Sequence, residues 1–392
     1  MTTEKLYYEN CRLAVFSARV LACREREGGF AVLLDRTAFY PGGGGQAADS
    51  GTLGTARVTG MAEENGEILH LCDGPLTPGE TLEGRIDWLP RFIRMQQHTG
   101  EHILSGILNR EYGYHNAGFH MNLERIQVDF DGPIPPERMP ELEAAVNDAI
   151  WQNLPVKCYI PGPEELEALS YRTKRALPWP VRIVEIPGFD RCACCGVHVA
   201  FTGEAGPVKL WSAVPFRGGT RIEMSCGIPA LNQLNDVYGQ AKEVSRLLSA
   251  PVTGIGAAAG ELRDQLGTAK YRARQLELES IRAGAEKCRG RGDLVLFREA
   301  LDPELLVALA DTTAECAGGT AAVFAGTGDN WRWCVIDKNK DLRPLTKEMF
   351  RALSARGGGK PGFQQGSAKA EKGEILAFFR EKGFGEAAGA EI

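Results

Sequence analysis

The sequence predicts an α+β protein built from several domains, and three observations support this fold class. The chain has 392 residues, more than a single hydrophobic core usually organises. Its first 90 residues alternate short β-type runs with turn residues, whereas helical and strand-like patterns are mixed further along. Apolar residues make up 43% of the chain and charged residues 24%, which excludes a mostly disordered protein.

Residues 1–90 are predicted to form a small β-barrel. Gly, Asp, Asn and Pro residues separate short segments that are rich in apolar and β-branched residues. The predicted strands cover residues 12–21, 29–34, 52–61 and 67–71. Residues 91–228 are predicted to form an α+β domain, with helices at 91–112 and 136–154 and strands at 125–130 and 181–186.

Residues 229–288 are predicted to form a helical hairpin that links two domains. Two helical patterns, at 229–248 and 261–286, flank the helix-breaking sequence SAPVTGIG. In the second helix one stripe follows 4-3-4-3-4 spacing and consists of Leu262, Leu266, Ala269, Ala273, Leu276 and Ser280. Such a stripe indicates an antiparallel helix pair or a homodimer contact, and a plain helical linker is the alternative.

Residues 289–392 are predicted to form a separate α/β unit with the order β-α-β-β-α. Strands are expected at 293–300, 321–326 and 331–338, and helices at 303–316 and 346–355. Three consecutive glycines then follow the last helix and precede Lys360 and Pro361.

Composition limits the functional classes. The eleven cysteines are an odd number, and the first residues carry no export signal, so reduced thiols and a cytoplasmic location are expected. No run approaches the ~20 apolar residues that cross a membrane. The formal net charge of −6 means that an RNA partner would have to bind through local basic patches.

The segment HTGEH places His98 and His102 four residues apart in a predicted helix. At that spacing both imidazoles project from nearly the same face and can share one metal ion. The zinc-protease motif is different, because there a glutamate directly follows the first histidine, whereas Thr99 stands in that position here.

The segment DRCACCGVHV, nearly a hundred residues downstream, supplies a second pair. Cys194 and His198 have C-x-x-x-H spacing around a glycine, which suits a tight loop that presents a thiolate and an imidazole together. Both pairs predict one Zn²⁺ per chain, bound by His98, His102, Cys194 and His198. Cys192 or Cys195 could replace Cys194, and a purely structural zinc is the alternative to a catalytic one.

These segments, with others in the same order, resemble a known protein family. HTGEH and CCGVH are similar to the H-x-x-x-H and C-x-x-x-H motif of the editing domain of alanyl-tRNA synthetase and of its stand-alone AlaX relatives. TAFYPGGGGQAADSGTL resembles the family's glycine-rich motif, and GFHMNLERIQVDF resembles the long AlaX form. GGGKPGFQQG is similar to the C-terminal DHHA1 domain. The usual C-G-G-T-H appears here as CCGVH.

The resemblance implies an aminoacyl-tRNA deacylase that edits in trans. Its expected substrate is mischarged Ser-tRNA(Ala), and also Gly-tRNA(Ala), with no aminoacylation activity and no ATP. Zinc is expected to organise the substrate. The alternatives are a deacylase for another amino acid and a zinc-stapled tRNA-binding or dimerisation module without catalysis.

The resemblance also implies residues of the substrate pocket and of the tRNA-binding surface. Thr37 is the expected ligand for the serine hydroxyl, and Asn116 stands where the synthetase has a substrate-facing glutamine. Asp49 could instead cap a turn, and His120 could be a buried structural histidine. The expected pocket residues are Thr37, Gln46, Asp49, Asn116, His120 and Thr202. The expected tRNA-binding residues are Arg356, Gly357, Gly358, Gly359 and Lys360, with a solvated helix face as the alternative for this basic region.

Overall fold

The computed structural model describes residues 3–173 and 178–387 of the chain. The chain divides into two compact units, residues 1–243 and residues 244–392. Each unit contains β-sheets and helices, so the predicted α+β fold class with more than one folded unit is confirmed.

Six strands near the start of the chain close into a barrel in the order β2-β3-β7-β6-β5-β8. Side chains alternate between buried and exposed along the first half of β2, and Phe16, Ala18 and Val20 enter the barrel core. The elements of this region are β1 (Glu4–Lys5), α1 (Leu6–Glu9), β2 (Val15–Arg26), β3 (Gly29–Leu34), β4 (Arg36–Thr37), β5 (Gly51–Leu53), β6 (Ala56–Glu64), β7 (Glu67–Cys72) and β8 (Thr81–Ile86).

The strand predicted at 52–61 is wrong, because the segment is a hairpin made by β5 and β6. Leu53 pairs with Ala56 across the turn, and Gly54 adopts a φ of 55°. Glycine reaches this left-handed conformation without the steric cost of a side chain, so the chain reverses there.

Helix α2 (Trp88–Tyr112) runs through the first unit and confirms the helix predicted at 91–112. Its side chains are buried almost continuously from Arg91 to Leu108. The helix ends at Gly113, whose φ of 72° gives a left-handed cap with its N–H donated to the Asn109 carbonyl. Polar residues on so buried a helix need partners from the elements that surround it.

Two small sheets and the helices α3 and α4 also lie in the described part of this unit. The sheet order is β14-β15-β10-β9 in one and β11-β12-β13 in the other. The predicted strands at 125–130 and 181–186 and the predicted helix at 136–154 are confirmed as β10, β12 and α3. The elements are β9 (Asn116–Met121), β10 (Ile126–Phe130), α3 (Met139–Trp151), β11 (Lys157–Tyr159), α4 (Pro163–Ala168), β12 (Ile183–Ile186), β13 (Asp190–Ala193), β14 (Val208–Phe216) and β15 (Gly219–Cys226).

The two helices predicted after residue 228 are confirmed as α5 (Ile228–Leu248) and α6 (Ile255–Glu286). Helix α6 begins six residues earlier than the predicted 261, since the sequence GIGAAAG continues the helix without a break. Leu262, Leu266 and Leu276 from the predicted stripe are all exposed in the single chain.

The second unit contains a six-stranded sheet with the order β19-β20-β18-β17-β16-β21. Asp302 caps the N-terminus of helix α7 (Pro303–Ala317) by accepting hydrogen bonds from the N–H groups of Glu304 and Leu305. The elements are β16 (Leu294–Arg298), α7 (Pro303–Ala317), β17 (Ala321–Thr327), β18 (Asn330–Ile336), α8 (Arg343–Ala352), β19 (Arg356–Lys360), β20 (Phe363–Lys369), α9 (Lys372–Glu381) and β21 (Gly385–Glu386). The predicted β-α-β-β-α order is confirmed from β16 to α8.

The glycine segment after α8, for which no strand was predicted, is an edge strand, β19. It pairs antiparallel with β20, and a Cβ atom added at Gly357 would lie 2.1 Å from the Gln365 carbonyl oxygen and 2.8 Å from the Trp333 ring. Glycine is therefore needed for close backbone approach here rather than for a reversal of the chain.

None of the helices within residues 3–173 and 178–387 combines the length and the apolar character that a bilayer-spanning helix requires.

Candidate metal centre

Helix α2 supplies the first two imidazoles of the candidate centre. His98 and His102 are one helical turn apart, and their ring centroids lie 5.1 Å from each other. Both side chains are almost fully buried. The helix therefore presents two imidazoles on one face, as their spacing predicts.

The loop after β13 supplies the remaining two groups. The Cys194 Sγ lies 3.5 Å from the Nε2 atom of His98 and 3.6 Å from the Nε2 atom of His198. One nitrogen or sulfur atom from each of His98, His102, Cys194 and His198 lies within 4.8 Å of every other. The structure thus brings the two sequence-distant pairs together.

The three neighbouring cysteines differ in their surroundings. Cys194 belongs to the cluster of three imidazoles, whereas Cys192 groups with His102 and Asp190. Cys195 is exposed, and its Sγ lies 3.7 Å from the Tyr40 hydroxyl. Cys194 is therefore the thiol placed to complete a four-ligand set.

The other ring nitrogen of each imidazole has a partner of its own. The Nδ1 atom of His98 lies 3.0 Å from the Gln46 Oε1, that of His102 lies 2.8 Å from the Asp190 Oδ2, and that of His198 lies 3.2 Å from the Thr99 Oγ1. Such outer contacts fix the tautomer and the orientation of a metal-binding histidine. They leave the Nε2 atoms free to face a shared ion.

Asp190 is itself held by a second group. Its carboxylate, 1% exposed, forms a bidentate pair with Arg172, with Nε–Oδ1 and Nη2–Oδ2 distances of 2.6 and 2.9 Å. Burial opposes ionisation of Asp190, but the contacts with His102 and Arg172 hold its pKa below the usual range. The charge of Asp190 is therefore maintained behind His102.

The electrostatics favour a thiolate at Cys194. Burial alone would raise the pKa of the thiol, but the neighbouring rings of His98 and His102 outweigh burial and hold that pKa well below its usual range. Burial and the neighbouring His98 ring also keep the pKa of His198 well below its ordinary value. A thiolate at Cys194 and a neutral imidazole at His198 are protonation states that metal binding requires. His102 differs: burial opposes its protonation, but the Cys194 thiolate and Asp190 outweigh burial and hold the pKa of His102 well above its usual value, so His102 would release a proton when a metal binds.

The donor set fits zinc. A tetrahedral ion with Zn–S of about 2.3 Å and Zn–N of about 2.0–2.1 Å separates its sulfur and nitrogen ligands by about 3.6 Å. The two measured sulfur–nitrogen separations, 3.5 and 3.6 Å, agree with that value. Three imidazoles and a thiolate are also the borderline-soft ligands that zinc prefers.

A cavity of about 900 Å³ lies beside the cluster. His98, His102 and Cys194 form part of its wall, so the cluster borders the open space rather than sitting apart from it. Other residues of the wall are Lys5, Tyr8, Glu101, Asn116, Phe119, Arg172, Arg182 and Cys195. Arg182 lies over the Tyr8 ring and donates to the carbonyl oxygens of Cys194 and Gly196.

Two of the expected pocket residues, Gln46 and Asn116, lie beside the four-residue cluster or its cavity. Asn116 lines the cavity. Gln46 is buried behind His98, where its Oε1 also accepts a hydrogen bond from the Val197 N–H at 3.0 Å. Gln46 therefore ties the glycine-rich segment to both halves of the cluster.

The other four expected pocket residues are not among the described residues that line the cavity. They are Thr37, Asp49, His120 and Thr202. The Thr37 hydroxyl is 2.8 Å from the Nε2 of His70 and accepts a hydrogen bond from the Phe39 N–H, so the barrel core uses it. The Thr202 hydroxyl donates to the Ala149 carbonyl oxygen. His120 is exposed on β9, so the alternative of a buried structural histidine is wrong as well.

Asp49 forms a buried ion pair with Arg91 of α2. The side chains are 1% and 0% exposed, and the Arg91 Nε lies 3.0 and 2.9 Å from the two carboxylate oxygens. Asp49 also accepts a hydrogen bond from the Tyr40 N–H at 2.7 Å. Its observed contacts are those of a residue that joins the glycine-rich segment to α2.

Replacing Asp49 with asparagine is expected to destabilise the fold by about 3–5 kcal/mol, because Arg91 would keep its charge in a buried site without a counter-ion. Chemical denaturation followed by circular dichroism measures the loss. Glu64→Gln is the matched control, since the Arg26–Glu64 pair is about half exposed and is expected to contribute little. Equal stabilities of the two variants would contradict the assignment.

Sequence patterns missed several residues around the cluster. Arg172 lies in no motif and is brought there only by packing. Thr99 and Asp190 lie inside the segments HTGEH and DRCACCGVHV, but their contacts with His198 and His102 join the two segments and are not visible in either one alone. Glu101 was within view, as it lies inside HTGEH, three residues after His98. Residues at that helical spacing share a face, and this could have placed Glu101 in the cavity wall.

Part of the chain matches a known protein family. The family described as "Threonyl and Alanyl tRNA synthetase second additional domain" matches residues 181–223, which include Cys194 and His198. The alanine–tRNA ligase of Thermofilum pendens is 30% identical over 93% of the chain and 42% of the ligase. The alanyl-tRNA editing protein AlaX-L of Pyrococcus horikoshii is 27% identical over 97% of the chain and 98% of that protein.

The chain is an AlaX-L homologue. It is also related to alanyl-tRNA synthetase, although this AlaX-L homologue spans less than half the length of the ligases it matches, 42% for the Thermofilum pendens protein. Among solved structures, the C-Ala domain of the Aquifex aeolicus alanyl-tRNA synthetase is 23% identical, with a TM-score of 0.21 over 23% of this chain and 86% of that one.

Proposed function

We propose that this protein is a zinc-dependent deacylase that hydrolyses mischarged Ser-tRNA(Ala), and also Gly-tRNA(Ala), with no aminoacylation activity and no need for ATP. The observation that carries the proposal is that His98, His102 and Cys194 line a cavity, so a metal held there is within reach of a bound substrate. The similarity to an alanyl-tRNA editing protein over 97% of the chain supports the same activity.

In this proposal His98, His102, Cys194 and His198 hold one zinc per chain. When bound, the ion supplies a positive charge that orients the amino or hydroxyl group of the substrate. Four protein ligands would fill a tetrahedral shell, which favours such an organising role over a zinc-bound hydroxide as the nucleophile.

Binding of the tRNA end and stabilisation of the oxyanion depend on side chains of the cavity. The wall carries Lys5, Arg172 and Arg182 but also Glu101 and Asp131, and the charge of Arg172 is balanced by Asp190. Lys5 and Arg182 are therefore the cations that suit the negatively charged end of a tRNA and the oxyanion that develops when water attacks the ester. Arg172 is fixed by Asp190, and Arg182 by two loop carbonyl oxygens. Charges that are already oriented need little rearrangement during the reaction.

Deacylation of purified Ser-, Gly- and Ala-tRNA(Ala), with and without a chelator, tests the proposal. We expect hydrolysis of the seryl and glycyl esters, sparing of the alanyl ester, loss of activity with the chelator, and recovery with added zinc. A folded, zinc-loaded protein that leaves all three esters intact would overturn it. That result would favour a zinc-stapled binding module, which the four-ligand cluster also accommodates.

We further propose that the chain uses separate regions for catalysis and for tRNA binding. The barrel of residues 1–90 and the domain of residues 91–228 form the catalytic part. The helices of residues 229–288 form a homodimer contact through exposed Leu262, Leu266 and Leu276. Residues 289–392 form a DHHA1-like domain that binds tRNA through the exposed strand β19.

Replacing Arg356 and Lys360 together with alanine is expected to weaken tRNA binding and to lower the salt dependence of binding by about one unit of slope per lost phosphate contact. Both side chains are exposed on the edge strand. Binding measured across a salt titration gives the slope. Replacing Arg26 and Arg85, two exposed arginines of the barrel, together with alanine is the control for the loss of two charges. An unchanged slope in the double variant would exclude β19 from the interface.

A further inference from the structure

Asn116 is an unusual residue of the cavity wall, because only one of the two polar atoms of its side-chain amide has a hydrogen-bond partner among the described residues. The residue is 91% buried, since its exposed fraction is 9%. Its Nδ2 donates a hydrogen bond to the Glu101 Oε1 at 2.6 Å. Its Oδ1 is buried and has no hydrogen-bond partner among the described residues.

The contact with Glu101 determines which polar atom of the Asn116 amide stays without a partner. Its Oε1 accepts hydrogen bonds from Asn116 and from the Ser105 hydroxyl, the latter at 2.5 Å. A carboxylate offers acceptors only, so the amide can present nothing but its N–H to this side. The Oδ1 of Asn116 is consequently fixed on the other side, as an acceptor that cannot turn away.

A buried acceptor without a partner costs about 1–3 kcal/mol, and such groups in folded proteins need an explanation. Asn116 and Glu101 line the same cavity as His98 and His102. A donor group on a ligand held in this cavity would supply the missing partner. The Thr37 hydroxyl, expected from the sequence to bind the serine side chain, is already used by His70 and the Phe39 N–H.

We propose that Glu101 is a positioning residue that holds Asn116 in one orientation, so that Asn116 Oδ1 accepts the side-chain hydroxyl of a seryl group. This inference rests on the proposed deacylase function for the identity of the ligand. It gives the site a physical means to separate serine from alanine. An alanyl group has no hydroxyl, and its methyl group would leave the Oδ1 unpaired in the closed complex, whereas a glycyl group leaves room for a water molecule that donates to the Oδ1.

The proposal is tested by measuring the binding of two non-hydrolysable ligands to the zinc-loaded full-length protein by titration calorimetry. The ligands are 3′-deoxy-3′-(L-serylamino)adenosine and its L-alanyl counterpart. The wild type should bind the seryl ligand at least about tenfold more tightly than the alanyl ligand, as expected for one buried hydrogen bond. In Glu101→Gln the amide is free to turn, and the preference should fall to near one.

Rescue distinguishes orientation from general damage. The double variant Glu101→Gln with Asn116→Asp reverses donor and acceptor between the two positions, and it again leaves an oxygen facing the ligand. It should recover the seryl preference. Asn116→Ala, which leaves α2 unaltered, should lose the preference as Glu101→Gln does, and it decides the question if the Glu101 variant does not fold.

Equal weakening of both ligands in Glu101→Gln would overturn the proposal, since it would mean that Glu101 supports the structure or binds the amino group. Hydrolysis of Ser-tRNA(Ala), measured in parallel, separates this inference from the proposed function. Hydrolysis with an unchanged seryl preference in Glu101→Gln overturns the inference alone. A seryl preference that depends on Glu101, without hydrolysis by the wild type, overturns the deacylase proposal alone.

Discussion

Replacing Cys194 with serine is expected to release the bound zinc and to lower hydrolysis of Ser-tRNA(Ala) to the uncatalysed rate. The thiol is the centre of the cluster, at 3.5 and 3.6 Å from two of the imidazole nitrogens, and its pKa is held low enough for a thiolate. A serine hydroxyl remains protonated at neutral pH and is a poor ligand for zinc. Metal analysis of the purified variant and a deacylation assay measure the two effects.

Cys192→Ser is the matched control, because this neighbouring thiol groups only with His102 and Asp190. The control should keep about one zinc per chain and most of the activity. Zinc that stays in the Cys194 variant but leaves the Cys192 variant would reverse the assignment of the sulfur ligand. Circular dichroism of each variant separates loss of the metal from loss of the fold.

The sequence could predict the members of the cluster because their spacing is a local property. A four-residue separation in a helix fixes the relative direction of His98 and His102 whatever the rest of the fold does. The C-x-x-x-H spacing of Cys194 and His198 likewise confines both groups to one short loop. The helices α2, α5 and α6 could be predicted for the same reason, since helical periodicity needs only neighbouring residues.

The surroundings of the cluster depend on packing between distant segments, and periodicity carries no information about that. Gln46 reaches His98 from a glycine-rich loop, and Asp190 reaches His102 together with Arg172. Thr37 lies in the family's glycine-rich motif, yet in the folded protein its hydroxyl contacts His70, which is 33 residues away in the chain. Strand β19 was missed because glycines are poor strand formers, and only its pairing with β20 makes it a strand.

Replacing Gly196 with alanine is expected to lower deacylation by about a hundredfold, the scale of loss that follows from misplacing a catalytic group by 1 Å. A Cβ atom at this position would lie 2.2 Å from the Cε1 and 2.5 Å from the Nδ1 of His98. His98 cannot yield easily, because its ring is buried and stacks on Phe119. The loop cannot yield either without moving Cys194, since Arg182 binds the carbonyl oxygens of both residues.

The variant should therefore bind zinc more weakly even though no ligand has been removed, and a competition titration with a chromophoric chelator measures that change. Gly74→Ala is the control, because a Cβ atom there would meet nothing within 4 Å. Full zinc affinity and a normal rate in Gly196→Ala would mean that the loop does not press on His98. The four ligands would then be held by the helix and by the Nδ1 contacts alone, and the glycine of CCGVH would serve only the path of the chain.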